Sequence, residues 1–294
     1  MSSEIKSVII YSRVNREKVA FTIVDLVNFI SDLGINVLIE KSTNDKLHMD
    51  LPTLTFDEMT GKADLMIVVG GDGSMIGAAR EIVPTRIPVL GINRGHLGFL
   101  TDLAPQDINK SLLNVLKGGY ILEERFLLSA SVFGPDCQQH SLALNEVVIH
   151  GVKTAHMIDF SIFVNNNKFM YSQKADGLIV STPTGSTAYN LSAGGPVIEP
   201  SLNVISLVPM FPHSMNLRPI ILNGDSEIKI CFSNKLNPED IAISCDGQIT
   251  LSANDHCEIH IKKHSSPIKI CHPYSYDYFK VLRSKLSFGS KLVD

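Results

Sequence analysis

Five apolar residues in a row, Leu65 to Val69 (LMIVV), run straight into Gly70-Gly71-Asp72-Gly73 and then into the helix-like stretch SMIGAAREIV. A run that is apolar at every position, without alternation, belongs to a strand covered on both faces. Such strands occur in parallel sheets layered with helices. SVIIY (Ser7 to Tyr11), NVLIE (Asn36 to Glu40) and Val89 to Ile92 have the same character. Between the first two, Val19, Ile23, Leu26, Phe29 and Ile30 recur at helical spacing until Gly34 stops the helix. Residues 1–120 therefore read as an open α/β (Rossmann-like) domain carrying the GGDG turn.

After Gly118-Gly119 the texture changes. LLSASVF, LALNEVVIH, MIDFSIFV, VISLV, SEIKICF, IAISC, CEIHI and PIKIC are short runs, many of them alternating, with Gly, Asn, Asp, Ser and Pro between them. That spacing predicts an antiparallel, β-sandwich-like domain over 121–272. Helical spacing returns in the last segment, 273–294, from Tyr276 to Leu286, as a helix that packs back on the first domain. At 294 residues and 44% hydrophobic, the chain can bury two cores of this kind. A net charge of −4 gives no basic face for nucleic acid. No apolar run approaches the ~18–20 residues that span a bilayer, and MSSEIKSVIIYSR has no signal-peptide core. Five scattered cysteines without a CxxC pair suit a reducing compartment, so the expected location is the cytoplasm.

Strand, glycine turn, helix is an arrangement that binds phosphate, because glycine lets the backbone approach an anion and the helix start offers free N–H groups. Gly70, Gly71 and Gly73 would form that turn. Asp72 within it either caps an ordinary tight turn or has a chemical task, binding a divalent metal or taking a proton from an attacking hydroxyl. The turn is not a dinucleotide fingerprint, since the third glycine position is Ile76, and no GxxxxGK[ST] is present.

A second stretch runs Lys174-Ala175-Asp176-Gly177, then LIVS, then Thr182-Pro183-Thr184-Gly185-Ser186-Thr187-Ala188-Tyr189. Five Ser or Thr hydroxyls lie between Thr182 and Ser192, enough to hydrogen-bond a polar ligand, and Tyr189 can stack on a base. A plain polar turn joining two strands has the same composition. Asn145-Glu146 interrupts the strand-like LALNEVVIH. An amide beside a carboxylate suits ribose hydroxyls, although a strand end with both side chains in water would look alike. Asp246-Gly247, in SCDGQ, reads by itself as a hairpin turn. His256 and His260 read as exposed strand histidines without a third metal ligand.

Taken together, these stretches resemble the NAD kinase family, and in particular its Gram-negative bacterial, ATP-dependent members. The resemblance rests on GGDG (Gly70 to Gly73), GINRGHLGFLTD (Gly91 to Asp102), LNEVVIH (Leu144 to His150), KADGLIVSTPTGSTAYNLSAGGP (Lys174 to Pro196), VPMFPHSMNLRP (Val208 to Pro219) and SCDGQ (Ser244 to Gln248), in that order. It covers roughly residues 5–290. GGDG alone is shared with lipid and sugar kinases; combined with the NE pair and the TGSTAY loop it is specific.

The resemblance implies transfer of a phosphoryl group from ATP to the 2′-hydroxyl of the adenosine ribose of NAD, giving NADP. It also implies Mg²⁺ or another divalent cation, and a homodimer or homotetramer. Asp72 matches the family's proton acceptor. Asp72, Gly73, Asn145, Glu146, Lys174, Asp176, Thr184, Gly185, Ser186, Thr187, Ala188 and Tyr189 match NAD-contacting positions, with Gln248 and His156 matching more loosely. The rival readings are a lipid or sugar kinase sharing the GGDG turn, and a regulator that senses NAD(H) without catalysis.

Overall fold

The computed structural model describes residues 4–13, 17–93, 98–103, 108–135, 137–152, 157–232, 241–254 and 256–287. The chain forms two compact units, residues 1–124 with 268–294 and residues 125–267. In chain order the first unit contributes β1 (Ser7–Tyr11), α1 (Glu17–Asp32), β2 (Asn36–Glu40), α2 (Lys41–Leu47), β3 (Thr53–Leu54), β4 (Leu65–Val69), α3 (Asp72–Ile82), β5 (Val89–Ile92), α4 (Leu113–Leu116) and β6 (Tyr120–Arg125). The second follows with β7 (Leu128–Gly134), β8 (Cys137–Ala143), β9 (Glu146–Gly151), β10 (Ile158–Val164), β11 (Lys168–Ala175), β12 (Gly177–Ser181), α5 (Tyr189–Ser192), β13 (Val204–Met210), β14 (Ile220–Asn223), β15 (Ile228–Phe232), β16 (Ile241–Cys245), β17 (Ile249–Ala253) and β18 (Glu258–Lys263). The chain then returns to the first unit as β19 (Ile268–Pro273) and α6 (Tyr278–Leu286).

The first unit is built on a seven-stranded sheet in the order β3-β2-β1-β4-β5-β19-β6. Its ladders from β3 through β19 are all parallel. Val8, Ile9 and Ile10 in β1 and all of β4 are fully or almost fully buried, as strands covered on both faces must be. Helix α1 turns Val19, Ile23, Leu26, Val27 and Ile30 into that core. It ends before Gly34, whose φ of +75° is one that glycine adopts without strain.

The second unit is a sandwich of two antiparallel six-stranded sheets, β11-β10-β15-β18-β7-β8 and β14-β13-β12-β9-β16-β17. One apolar cluster joins them, with Phe160, Ile162, Ile230 and Ile259 from the first sheet packed with Val147, Ile149, Leu178, Val180 and Ile243 from the second. Cys245 and Cys257 are buried here, and Cys271 is buried in the first unit. Among the described residues no helix is long and apolar enough to cross a membrane.

Two local expectations change. PIKIC reads as another sandwich strand, yet Ile268–Pro273 pairs in parallel with β5, in the sheet of the first unit. Its apolar pattern satisfies either sheet, and only long-range pairing decides between them. LALNEVVIH is not one interrupted strand. β8 ends at Ala143 and β9 begins at Glu146, so Leu144 and Asn145 form a bend and the polar pair lies at a strand start.

Candidate active site

In the first unit, β4 delivers the chain to Gly70 and α3 begins at Asp72, so the GGDG turn is the junction of strand and helix. Gly71 and Gly73 are exposed at the helix start, and Ser74 N–H and Met75 N–H donate to Gly71 O at 2.9 and 3.3 Å. The Asp72 carboxylate is held from the loop after β5. Phe99 N–H donates to Oδ2 at 2.9 Å and Leu100 N–H to Oδ1 at 3.1 Å. Gly98 packs directly against this carboxylate, where a side-chain carbon would overlap Oδ1. Sequence reading missed this clamp because it joins residues 27 and 28 positions apart.

In the second unit, three segments converge on the bend before β9. Thr182 donates its hydroxyl to Leu144 O at 2.6 Å and its N–H to Asn145 O at 2.9 Å. Gly185 lies so close to the Asn145 backbone that a Cβ there would overlap it. From the other side, the Asp246 carboxylate accepts N–H groups from Leu144 (3.0 Å), Asn145 (2.7 Å) and Glu146 (3.2 Å). The structure thus gathers Asn145, Glu146, Thr184 to Tyr189 and the Asp246–Gln248 turn around one corner.

Glu146 is the unusual group at that corner. Its side chain is buried, and among the described residues its Oε2 has no hydrogen-bond partner. Burial, and then the charge of Asp246, push its carboxyl up to about 8. At neutral pH most of the population carries a proton, and such a group can donate as well as accept.

The hydroxyl-rich loop uses several of its hydroxyls on itself. Ser186 Oγ donates to Ile198 O at 3.2 Å and accepts from Ile198 N–H at 3.0 Å, while Thr184 Oγ1 accepts from the buried Arg125 at 3.2 Å. Asn190 Nδ2 ties Ser186 O to Pro196 O. The loop is a rigid, pre-shaped wall, and Tyr189 projects from it 44% exposed. Lys174 is exposed on β11, and its carbonyl accepts His213 N–H; Asp176 N–H donates to Met210 O. Gln248 closes the turn by donating its N–H to Cys245 O. His156 lies outside the described residues. Sequence reading also missed Arg125 and the side chain of Asp246, which look like a strand end and a hairpin turn.

A glycine turn with a fixed aspartate in an α/β unit, and in the same chain a β-sandwich with a hydroxyl-lined corner and a buried carboxyl, suit a nucleotide-directed kinase. The family model of the ATP-NAD kinase N-terminal domain matches residues 8–120, and that of the ATP-NAD kinase C-terminal domain matches residues 144–272. An NAD kinase of Aeromonas salmonicida is 46% identical over 99% of this chain and 100% of its own length. Among solved structures, yeast NADH kinase complexed with NADH superposes with a TM-score of 0.87 at 24% identity, over 100% of this chain and 91% of that one. An NAD kinase from Archaeoglobus fulgidus in complex with ATP gives 0.73 at 25% identity, over 96% and 98%. The chain belongs to the NAD kinase family, and its reaction is the ATP-dependent phosphorylation of NAD.

Proposed function

We propose that Asp72 accepts the proton of the 2′-hydroxyl of the adenosine ribose of NAD as that oxygen attacks the terminal phosphorus of ATP. The products are NADP and ADP. A loose phosphoryl-transfer transition state asks mainly for alignment and charge neutralisation, with proton removal late, so a fixed carboxylate suffices as acceptor. Asn145 and Glu146 hold the ribose hydroxyls, and Tyr189 stacks on a base ring, with Thr184 to Ala188 forming the wall beside it. Gly73, Lys174, Asp176, Gln248 and His156 complete the contacts with NAD. The observation that carries this reading is the buried Oε2 of Glu146, without a partner among the described residues, on the corner shared with Asn145 and the TGSTAY loop.

Among the described residues no three His, Cys, Asp or Glu side chains converge as a metal cage. A hard cation such as Mg²⁺ is commonly bound through substrate phosphates and keeps several waters, and phosphoryl transfer from ATP calls for one. When bound it offsets charge on the transferring phosphoryl group. The same reading makes the enzyme a cytoplasmic homodimer or homotetramer.

The test is NADP formation from NAD, ATP and Mg²⁺, read through an NADP-specific dehydrogenase, with Asp72→Asn alongside. The expected loss of turnover is about 10²–10⁴-fold. NAD binding by calorimetry should stay within about tenfold, equivalent to ~1.4 kcal/mol. Excess chelator should stop the wild type, and added Mg²⁺ restore it. An Asp72→Asn variant with half the wild-type rate would remove Asp72 as the proton acceptor.

A further inference from the structure

Asp246 does more than its turn requires. Asp246 and Gly247 both have positive φ, +55° and +63°, between the antiparallel strands β16 and β17. Asp-Gly and Asn-Gly serve such a turn equally well. The backbone conformation therefore explains a short polar residue at 246 and does not explain a carboxylate. The carboxylate folds back over the neighbouring strand and accepts three successive N–H groups, Leu144 on Oδ2 and Asn145 and Glu146 on Oδ1. Asp246 N–H donates in turn to Glu146 O at 2.9 Å. Three consecutive amides of a bend gathered on one anion make an oriented cradle that fixes the backbone.

We propose that Asp246 is a positioning residue for the acceptor nucleotide, fixing through these three amides the bend on which Asn145 and Glu146 are presented. This rests on the reading that Asn145 and Glu146 contact NAD. A second effect follows from the same placement. β12 sets the neutral Ser181 opposite Glu146, and Thr182, also neutral, bonds the bend itself. Asp246 is the charged group whose field acts on Glu146, and it adds to burial in keeping the Glu146 proton in place. Asp246 thereby sets where Glu146 points and whether it can donate.

The discriminating variant is Asp246→Asn. It keeps a residue that tolerates the turn, retains one oxygen for the Asn145 and Glu146 amides, and sets an NH₂ group against Leu144 N–H. It also removes the charge. Initial rates with the full chain, varying NAD and ATP from pH 6 to 9.5, should show KM for NAD raised about tenfold and KM for ATP within about twofold, with Tm lowered by only a few degrees. Wild-type kcat/KM for NAD should fall as pH rises through about 8. That inflection should move to lower pH in Asp246→Asn and vanish in Glu146→Gln. Asp246→Glu, which keeps the charge at a changed distance, should raise KM for NAD while retaining the inflection, and it serves if the Asn variant does not fold. Unchanged KM for NAD in Asp246→Asn, or equal losses in KM for ATP and in Tm, overturns the positioning role. An inflection unmoved in Asp246→Asn removes the electrostatic part. Wild-type KM for NAD in Glu146→Gln overturns the underlying reading of the pair, whatever Asp246 does.

Discussion

Phe99 donates its backbone N–H to Asp72 at 2.9 Å, so the aspartate of the GGDG turn is fixed by the loop after β5 and not by its own helix alone. The main chain can approach this closely because residue 98 is glycine. Gly98→Ala puts a carbon onto both Asp72 Oδ1 and Thr101 Oγ1, so the two side chains or the loop itself must move. Overpacking of this kind costs about 1–3 kcal/mol. The expected outcome is a fall in kcat of at least tenfold with KM for NAD little changed, read by steady-state kinetics beside a thermal melt. A variant with wild-type kcat would separate the clamp from catalysis.

Gly185 stands in a similar relation to Asn145, but the atoms a Cβ would meet there are backbone oxygen and carbon, which cannot rotate away. Gly185→Ala should therefore move either the loop or the bend. We expect about 1–3 kcal/mol of lost stability in urea unfolding together with a raised KM for NAD. Normal stability and normal KM would mean that the loop absorbs the methyl without disturbing Asn145.

Tyr189 is the member of the loop with an exposed ring, and its removal leaves no buried cavity. A stacking contact of about 0.5–1.5 kcal/mol corresponds to a rise of about two- to tenfold in KM for NAD in Tyr189→Ala. Stability should stay within about 0.5 kcal/mol of wild type. A fall in kcat at constant KM would show that the ring does not stack on NAD.

The strands SVIIY, NVLIE and LMIVV and the turn after LMIVV were legible because each signal is local: an unbroken apolar run, a helical period, or glycines where a strand must become a helix. The site was legible only as separate stretches. That TGSTAY and Asn145-Glu146 share a corner depends on strands β9 and β12 pairing, with Glu146 opposite Ser181. The Asp246 cradle was hidden because Asp-Gly already has a sufficient local explanation, while the amides it binds lie 100 to 102 residues earlier. Likewise nothing in PIKIC says that β5 is its partner.

His272, on β19, is the least legible feature. Its ring is fully buried between two carboxylates, with Nδ1 2.5 Å from Asp102 Oδ2 and Nε2 2.9 Å from Glu123 Oε2. Tyr276 stacks on its face at 3.8 Å between ring centres. These bonds tie the returning strand to residues 170 and 149 positions earlier, all in the first unit. Burial by itself lowers the imidazole pKa, but the hydrogen bonds and charges of Asp102 and Glu123 outweigh it and raise it overall. The folded protein thus holds this proton more tightly than the unfolded chain, whose histidines titrate near 6.5. The added stability is complete below about pH 6.5 and is lost as pH rises through the elevated folded value. His272→Leu removes the partner of two carboxylates and should cost about 3–5 kcal/mol at pH 6. Urea unfolding of both proteins from pH 6 to 9 should show that difference shrinking as the wild type gives up its proton. A difference that stays constant across the range would mean that His272 is neutral in the folded protein and that packing, not charge, holds β19 in the sheet.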